Sequence, residues 1–243
     1  MAGWVGAVID KRVARAEQAL AAVTDGDTVM IGGFGEAGSP IELVHALIDQ
    51  GAAELTVVSN NAGSGEVGLA ALIRAGRVAK IICSYPRSEN SIVFPGLFCA
   101  GQIELELVPQ GTLAERIRAG GAGIPAFYTP TAAGTELAAG KESRSFDGRP
   151  CLLEHALAAD WALIKARVAD WHGNLTYNKT ARNFAPLMAM AARTTVAQAA
   201  SVLAPGALDP ETVVTPGIFV DHVVHIANPL YESDLVASGV RYP

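Results

Sequence analysis

The first half of the chain contains four short apolar runs that do not alternate with polar residues. One run reads Leu55-Thr56-Val57-Val58, and each run ends in a loop that is rich in polar residues or glycine. A strand without such alternation is typical of a sheet that is buried on both faces. The runs therefore predict four strands, which lie at residues 28–31, 55–59, 79–83 and 103–108.

The segments between these runs have the apolar spacing that is typical of helices. They lie at residues 41–49, 67–75 and 88–100, and residues 113–119 form a fourth candidate after the last run. Strands that alternate with helices indicate a mainly parallel sheet with helices on both of its faces. The first half therefore predicts an α/β fold.

The second half of the chain is less regular. Glycine and proline mark a long irregular segment at residues 120–131, and we predict a short helix at 188–192. Residues 143–146 and 150–153 flank the pair Asp147-Gly148, which predicts a β-hairpin. Further strand candidates lie at residues 160–167, 175–177, 195–199 and 222–227. We therefore predict a parallel sheet flanked by helices, with a β-hairpin and mixed strands in the second half.

The composition limits the classes of protein that the chain can belong to. Half of its 243 residues are hydrophobic and only 17% are charged, which excludes a disordered chain. We find no internal repeat and no low-complexity linker, so we predict one domain over residues 1–243, with 228–243 as a C-terminal extension. The net charge of −6 and the lack of a basic run argue against a nucleic-acid partner.

Other sequence signals concern the compartment and bound groups. No apolar run reaches the roughly 18 residues of a membrane span, and charges from Asp10 onwards come too early for a signal peptide. Cys83, Cys99 and Cys151 are too widely spaced for a disulfide framework or a metal motif. We therefore expect a cytoplasmic protein with no membrane partner, no metal and no flavin or nicotinamide cofactor.

A glycine-dense turn separates the first predicted strand from the helix predicted at residue 41. It consists of Gly32, Gly33, Phe34, Gly35, Glu36, Ala37 and Gly38. Glycine admits positive φ angles and lets a ligand approach the backbone closely. A turn before a helix also presents N–H groups to an anion. The spacing matches neither a dinucleotide fingerprint nor a P-loop, so the turn alone indicates either a structural turn or an anion site.

Three more polar loops follow the other predicted strands, at residues 60–65, 84–87 and 109–112. The carboxyl ends of parallel strands lie at one edge of a sheet, and open α/β sheets bind ligands outside that edge. The four loops therefore predict one shared site. Its candidate side chains are Asn60, Asn61, Arg87 and Gln110.

Several motifs occur in order along nearly the whole chain. They include Gly32-Gly33-Phe34-Gly35, Ser59-Asn60-Asn61-Ala62-Gly63, Val108-Pro109-Gln110-Gly111-Thr112, Gly120-Gly121-Ala122-Gly123, Gly173-Asn174-Leu175 and Ala181-Arg182-Asn183-Phe184. Together they resemble the family I CoA-transferases, and in particular the alpha subunit of the two-subunit 3-oxoacid CoA-transferases. The resemblance implies an enzyme that acts only with a beta subunit of the same CoA-transferase as its partner.

The resemblance leaves two substrates open. Residues 65–72 and 83–87 look more like the 3-oxoadipate enzymes, whereas 120–123 and 125–131 resemble the acetoacetate enzymes. Charge favours 3-oxoadipate, because its second carboxylate needs a cation that Arg87 can supply. The alternative for Arg87 is an ion pair with a surface acid such as Glu89.

The family reaction moves CoA from succinyl-CoA to a 3-oxo acid by a ping-pong route through a glutamyl-CoA thioester. The resemblance places that glutamate in the beta subunit, and we find no nucleophile motif in this chain. We interpret Glu36 as a first-turn acid near a helix N-terminus and Glu66 as a similar acid near the next helix. The CoA thioester is thus a substrate, and we expect no separate cofactor.

The resemblance also assigns roles to the loops. Gln110 and Asn60 match positions that contact the reacting acyl group, and amide donors can stabilise an oxyanion at the thioester carbon. The loop 32–38 is implied to bind CoA or to leave room for the partner subunit. An acyl-CoA-binding protein without catalysis is the alternative from another class. Outside the site, we expect His45 to be exposed or to cap its helix.

Overall fold

The computed structural model describes residues 9–88 and 90–242 of the chain. Its strands are β1 (Arg12–Val13), β2 (Thr28–Ile31), β3 (Leu55–Val58), β4 (Val78–Cys83), β5 (Glu104–Leu107), β6 (Ala126–Thr129), β7 (Ser143–Phe146), β8 (Arg149–His155), β9 (Ala159–Asp170), β10 (Leu175–Thr176), β11 (Ala192–Leu203) and β12 (His222–His225). Its α-helices are α1 (Ala16–Ala19), α2 (Ile41–Gln50), α3 (Gly68–Arg74), α4 (Val93–Cys99), α5 (Gln110–Gly121), α6 (Ala185–Ala191) and α7 (Glu232–Ala237).

The main sheet has the order β1-β12-β11-β9-β2-β3-β4-β5, and all of these neighbours are parallel. The short β10 pairs with β9 in the antiparallel direction. From β2 the strands β3, β4 and β5 follow one another to one edge of the sheet. The chain then returns to the middle at β9, beside β2, and continues through β11 and β12 towards the other edge. Strand order therefore reverses between β2 and β9, and this is where open α/β sheets bind ligands. The prediction of a mainly parallel sheet is confirmed.

Helices cover both faces of this sheet. Along β2, Val29 and Ile31 pack into one buried cluster and Met30 packs into another. Residues of α1 to α4 belong to the first cluster, and residues of α5 and α6 belong to the second. Because both faces of each central strand are buried, the strands contain apolar residues at successive positions. This explains the runs without alternation in the sequence.

A separate antiparallel sheet has the order β6-β8-β7. Asp147 and Gly148 join β7 to β8 with φ angles of 49° and 75°, as a tight hairpin turn requires. The predicted hairpin is confirmed. The irregular segment predicted at residues 120–131 is wrong in part, because α5 continues to Gly121 and Ala126–Thr129 form β6.

Several other elements differ in their bounds from the prediction. The helix predicted at residues 188–192 begins earlier, since α6 covers Ala185–Ala191. The helix predicted at residues 88–100 is shorter, since α4 covers only Val93–Cys99. The strand predicted at 195–199 is longer, because β11 runs over Ala192–Leu203. Many of its residues are alanine, serine or threonine, which give a weak strand signal. Pairing with β9 on one side and β12 on the other stabilises the extended backbone.

The C-terminal residues 229–242 contact the rest of their own chain. The Tyr242 ring stacks on His45 with the ring centroids 3.6 Å apart, and its hydroxyl donates to Asp49 at 2.8 Å. Arg241 forms an ion pair with Glu66 at 2.6 Å. These contacts fasten the end of the chain to α2 and to the segment before α3. Of the described helices, none has the length and apolar character that crossing a membrane would require.

Candidate active site

The glycine-dense turn follows β2 and lies beside the middle of β9. Gly32 donates its N–H to the Leu163 carbonyl at 2.9 Å. Phe34 and Ala37 exchange backbone hydrogen bonds of 3.0 and 3.2 Å, so Gly35 and Glu36 form the tip of a tight loop. We call residues 32–38 the glycine loop. The sequence left open whether this segment is a structural turn or a ligand site, and the geometry gives it a well-defined tip at the carboxyl edge.

Asn183 holds the glycine loop in place. Its Oδ1 accepts a hydrogen bond from Gly33 N–H at 3.3 Å, and its Nδ2 donates to the Ala37 carbonyl at 2.7 Å. Gly38 has a φ of +81°, and a Cβ there would lie 2.2 Å from the Ala181 carbonyl oxygen. Only glycine fits this position, because a side chain would be both strained and overlapped. The loop 181–183 thus fixes the glycine loop from a distant part of the sequence.

Asn60 and Asn61 follow β3. Asn60 is only 4% exposed, and its backbone carbonyl accepts hydrogen bonds from Ser84 and Tyr85 N–H groups. These bonds join the loop after β3 to the loop after β4. Asn61 Oδ1 accepts from Gly63 N–H at 2.8 Å and stabilises the turn of its own loop. The Asn60 backbone is therefore held by bonds to the neighbouring loop, and the Asn61 side chain is held by a bond within its own loop.

Gln110 is the first residue of α5, directly after Pro109. Pro109 begins this loop with a fixed φ, and the N–H groups of the first turn of α5 have no partner within the helix. Gln110 is exposed, whereas Thr112 in the same turn is 4% exposed. The Gln110 side chain is thus available at the carboxyl edge, beyond β5.

Three buried oxygen atoms in these loops have no hydrogen-bond partner. They are Asn60 Oδ1, Ser84 Oγ and Thr112 Oγ1, which follow β3, β4 and β5 respectively. A buried polar atom without a partner costs free energy, so such atoms are uncommon. Three of them in neighbouring loops at the same edge of the sheet indicate a place that a ligand or another chain completes.

The predicted loops line a cavity of about 900 Å³. We call it the amide cleft, and its walls include Phe34, Glu36, Asn60, Asn61, Gln110 and Glu232. The structure thus brings together Asn60, Asn61, Gln110 and the tip of the glycine loop. Two carboxylates line the cleft, and no lysine or arginine among the described residues does. Its size is that of a small-molecule site.

The sequence did not identify one wall of the amide cleft, which is α7. Glu232 accepts a hydrogen bond from Ser64 N–H at 3.2 Å, and the Val236 side chain lies close to Gly65. Burial raises the pKa of Glu232, and the nearby Glu36 adds to this effect. Glu232 and Ser64 are 168 positions apart, and the short sequence Glu232–Ala237 has no pattern that indicates a site.

The acids Glu36 and Glu66 have other roles than the sequence indicated. Neither lies in the first turn of a helix, because α2 begins at Ile41 and α3 begins at Gly68. Glu36 Oε2 accepts from Ser233 N–H at 2.5 Å, and Glu66 pairs with Arg241. The interpretation of Glu36 as a first-turn acid is wrong, whereas Glu66 does lie near a helix N-terminus, directly before Val67, the N-cap residue of α3. Both acids bind the C-terminal segment.

Arg87 lies on the loop that contributes Tyr85 and Ser88 to the amide cleft, but it is exposed and does not itself line the cavity. Its suggested partner Glu89 lies outside the described residues. A carboxylate-binding role for Arg87 stays a prediction. Within residues 9–88 and 90–242, no cluster of three or more histidine, cysteine or acidic residues has a geometry that holds a metal.

The prediction for His45 is wrong. Its side chain is 7% exposed, and Nε2 accepts a hydrogen bond from Gly68 N–H at 2.9 Å. Burial lowers the pKa of His45 to about 4, so the ring is neutral at neutral pH. His45 therefore connects α2 to the start of α3 beside the C-terminal segment.

The fold and the cleft define a class of protein: a parallel α/β protein with a cleft that is lined by amide side chains at the carboxyl edge of its sheet. The family model for Coenzyme A transferase matches residues 13–225. This match covers most of the chain, and the chain belongs to the coenzyme A transferase family.

Similar proteins agree with this membership. The alpha subunit of a 3-oxoadipate CoA-transferase from Pseudomonas putida is 57% identical over 220 residues, which cover 90% of this chain and 95% of that protein. The alpha subunit of a succinyl-CoA:3-ketoacid coenzyme A transferase from Xanthomonas campestris pv. campestris (strain B100) is 52% identical over a region that covers 90% of each chain.

A solved structure supports the fold. The crystal structure of an acyl-CoA transferase from Escherichia coli O157:H7 matches 91% of this chain with a TM-score of 0.80 and 23% identity. This chain spans 48% of that longer chain, so it corresponds to about half of it. At this identity the likeness establishes the architecture alone.

Proposed function

We propose that this chain is the alpha subunit of a 3-oxoadipate CoA-transferase, which moves CoA from succinyl-CoA to 3-oxoadipate together with a beta subunit. The observation that carries this proposal is the 57% identity to the matching subunit of such an enzyme over 90% of this chain. Succinyl-CoA:3-ketoacid transfer is the second candidate, since the matching subunit of an enzyme with that name is 52% identical.

The proposed reaction has two balanced halves. A glutamate carboxylate attacks the succinyl thioester carbon and forms a mixed anhydride while CoA leaves as a thiolate. The thiolate then attacks the glutamyl carbonyl, which gives a glutamyl-CoA thioester and releases succinate. The same steps in reverse order transfer CoA to the 3-oxo acid. No oxidant or reductant is needed.

In this proposal the chain supplies the wall that binds the acyl group. The Asn60 and Gln110 amides donate to the thioester oxygen as it gains negative charge. Their position in the amide cleft supports this role, because both line the same cavity of about 900 Å³. The tip of the glycine loop, at Gly35 and Glu36, forms the adjacent wall.

The nucleophilic glutamate belongs to the partner subunit in this proposal. The two acids that line the amide cleft are poor candidates. Glu36 accepts a hydrogen bond from Ser233 N–H, and burial raises the pKa of Glu232, so a larger fraction of its carboxyl group is protonated. The free thiols of Cys83, Cys99 and Cys151 fit a reducing compartment, and we propose the cytoplasm.

The test is reconstitution of the full chain with its beta subunit. We expect CoA transfer from succinyl-CoA to 3-oxoadipate at a kcat/KM at least about tenfold above that for acetoacetate. The opposite ratio would make the 3-ketoacid activity the function. Binding of succinyl-CoA without transfer to either acceptor would indicate an acyl-CoA-binding protein and contradict the transferase proposal.

Substitution of Arg87 tests how the second carboxylate is recognised. If Arg87 binds it, Arg87→Ala lowers kcat/KM for 3-oxoadipate by about tenfold and leaves acetoacetate unchanged. Arg193→Ala is the matched control, because the Arg193 side chain is 84% exposed and does not line the amide cleft. An equal decrease of kcat/KM for 3-oxoadipate and for acetoacetate would contradict a role of Arg87 in selecting the acceptor.

A further inference from the structure

The C-terminal segment, residues 229–242, forms part of the wall of the amide cleft and is attached to the fold at both of its ends. At the first end, Leu230 donates its N–H to the Glu42 carboxylate on α2, and its carbonyl accepts from the Lys165 ammonium on β9 at 3.2 Å. The Lys165 ammonium also lies 4.7 Å from the centre of the Tyr231 ring. This end is therefore held by two elements of the main fold.

The other end is held through Tyr242. Its N–H donates to the Glu66 carbonyl at 3.1 Å, and its carbonyl accepts a hydrogen bond from the Arg74 guanidinium on α3. Its ring stacks on His45 of α2, and its hydroxyl donates to Asp49 of the same helix. Because both ends are attached, the residues between them, which include α7, have a defined place beside the cleft.

Between these attachments, α7 contacts two loops of the amide cleft. Ser233 donates its N–H to the Glu36 carboxylate at the tip of the glycine loop. The Glu232 carboxylate accepts from Ser64 N–H, in the loop after β3, at 3.2 Å. The helix thus donates one hydrogen bond and accepts the other, and it bridges the loop after β2 and the loop after β3.

The contact between Glu36 and α7 stabilises both partners. A helix of six residues is too short to be stable alone, and the N–H groups of its first turn have no partner within the helix. The N-cap residue Tyr231 makes no capping bond with its side chain, so the Glu36 carboxylate caps α7 from a distant part of the chain. In return, Ser233 N–H is the hydrogen-bond partner that the described chain gives to the Glu36 carboxylate.

The glycine loop has little other support at its tip. Asn183 holds the base of the loop, through Gly33 and Ala37. At the tip, no other part of the described chain lies within 4 Å of the place that a Cβ of Gly35 would take, and Phe34 is 49% exposed. A segment with so few contacts opens easily, so the bond to α7 decides where the tip lies.

We propose that the C-terminal segment is a strap that holds the amide cleft in its shape, and that Glu36 and Glu232 are positioning residues for the transfer of CoA. Through α7 they fix the tip of the glycine loop relative to the loop that carries Asn60. The inference rests on the proposed function, in which the Asn60 amide donates to the thioester oxygen. When the strap is loose, Asn60 is still present but is placed less accurately, so kcat decreases while KM changes little.

Hydrogen exchange of single amides in the full chain tests the strap without any substrate. In the glycine loop the reporters are Phe34 and Ala37, whose N–H groups bond to each other's carbonyl. In α7 the reporter is Leu235, whose N–H donates to the Tyr231 carbonyl at 3.2 Å. Exchange at these positions requires that the tip of the loop or the helix opens.

The variants differ in whether position 36 keeps an oxygen that accepts a hydrogen bond. We expect Glu36→Ala to raise the exchange rates of all three reporters about tenfold, because a hydrogen bond to a charged group is lost. Glu36→Gln should stay within about threefold of the wild type, since its amide oxygen still accepts from Ser233 N–H. Glu211→Ala is the matched control, at an exposed glutamate in the turn Pro210–Thr212, and should exchange like the wild type.

Kinetics of the enzyme reconstituted with its beta subunit tests the positioning role. Glu36→Ala and Glu232→Ala should each lower kcat about tenfold, with KM for succinyl-CoA within about twofold of the wild type. Glu36→Gln and Glu232→Gln should restore kcat to within about threefold of the wild type. Rescue by glutamine distinguishes positioning from chemistry, because an amide can accept the same hydrogen bond but cannot act as a carboxylate nucleophile.

Three results would overturn the inference. The first is that Glu36→Ala leaves the exchange rates of the reporters unchanged, and the second is that it raises them without lowering kcat. The third is that the glutamine variants lose as much kcat as the alanine variants, which would assign the effect to the carboxylate charge. If the wild type transfers no CoA to any 3-oxo acid, the proposed function fails, and the exchange rates still decide whether the strap holds the cleft.

Discussion

The two cavities beside the glycine loop differ mainly in charge. The amide cleft has two carboxylates and no described cation in its walls. The other cavity, of about 740 Å³, which we call the cationic cavity, is lined by Lys165, Arg167 and Lys179 and by one acid among the described residues, Glu36. Amides can bind an uncharged carbonyl group and follow its change to an oxyanion, while ammonium and guanidinium groups bind charges that are already present. The comparison teaches that one loop can separate two cavities of opposite charge.

The C-terminal segment connects the two cavities. Tyr231 lines the cationic cavity, and Glu232 and Val236 line the amide cleft. Residues 226–243 lie outside the range that the family model matches, which ends at residue 225. The segment is fastened to the fold by the stacking of Tyr242 on His45. Changes at this anchor should therefore affect both cavities, whereas changes within one cavity should affect that one alone.

The largest effect is expected in the amide cleft. Gln110→Ala should lower kcat of CoA transfer by about 10²–10³-fold, because one donor to the developing oxyanion is lost. Gln102→Ala, at an exposed glutamine after α4, is the control and should keep wild-type rates. Steady-state kinetics of the reconstituted enzyme measures kcat for both variants. A decrease of kcat by less than about threefold in Gln110→Ala would contradict a role of Gln110 in catalysis.

The glycine loop itself gives the next effect. Gly38→Ala should destabilise the fold by about 2–4 kcal/mol, since the new Cβ overlaps the Ala181 carbonyl and the φ angle is left-handed. CoA transfer by the reconstituted enzyme should decrease as well, because the glycine loop lines the amide cleft. Gly35→Ala has open space at a φ of +56° and should cost only about 1 kcal/mol. Urea unfolding measures the two values, and equal losses would contradict the close contact at Gly38.

Protonation of His45, on which Tyr242 stacks, should make the free energy of unfolding depend on pH. Burial lowers the pKa of His45 from 6.5 to about 4, so the unfolded chain binds the proton first as the pH falls. Stability should therefore decrease from pH 6.5 down to pH 4, by about 2 kcal/mol. His45→Gln should remove this part of the slope, whereas His225→Gln, at an exposed histidine, should retain it. Identical slopes in the wild type and His45→Gln would contradict the buried neutral ring.

The smallest effect is expected for Glu232. Glu232→Gln keeps an oxygen that accepts from Ser64 N–H and removes only the carboxylate, so kcat should change by less than about threefold. Single-turnover rates of the reconstituted enzyme measure this change. If Glu232→Gln lowers the single-turnover rate as much as removal of the partner's nucleophilic glutamate does, Glu232 is the attacking group. That result would contradict the proposed roles of the two chains.

The sheet could be predicted from the sequence where strands are buried on both faces. Residues 28–31 were predicted with the bounds of β2, because Val29, Met30 and Ile31 all pack into the core. The position of the polar loops at one edge could also be predicted, because the carboxyl ends of parallel strands lie at the same edge of a sheet. Asn60 and Gln110 were named in those loops, and the structure places both in one cavity.

Other parts could not be predicted because they depend on contacts between distant residues. Asn183 holds Ala37 across 146 positions, and Glu232 joins Ser64 across 168. Neither contact leaves a local pattern in the sequence. One signal was present but not used: Lys165 is a single charge in a strand that is otherwise apolar from 161 to 166. Such a lysine indicates that its surroundings contain something to compensate the charge.

The division of roles between the two chains of the enzyme can be tested by mass spectrometry of intact chains. The reconstituted enzyme is incubated with succinyl-CoA without an acceptor, and the mass of each chain is measured. We predict that the partner subunit gains the mass of one CoA, as a glutamyl thioester, and that this chain gains none. A CoA adduct on this chain that is lost in Glu36→Gln or Glu232→Gln would contradict the proposal that it supplies the binding wall and the partner supplies the nucleophile.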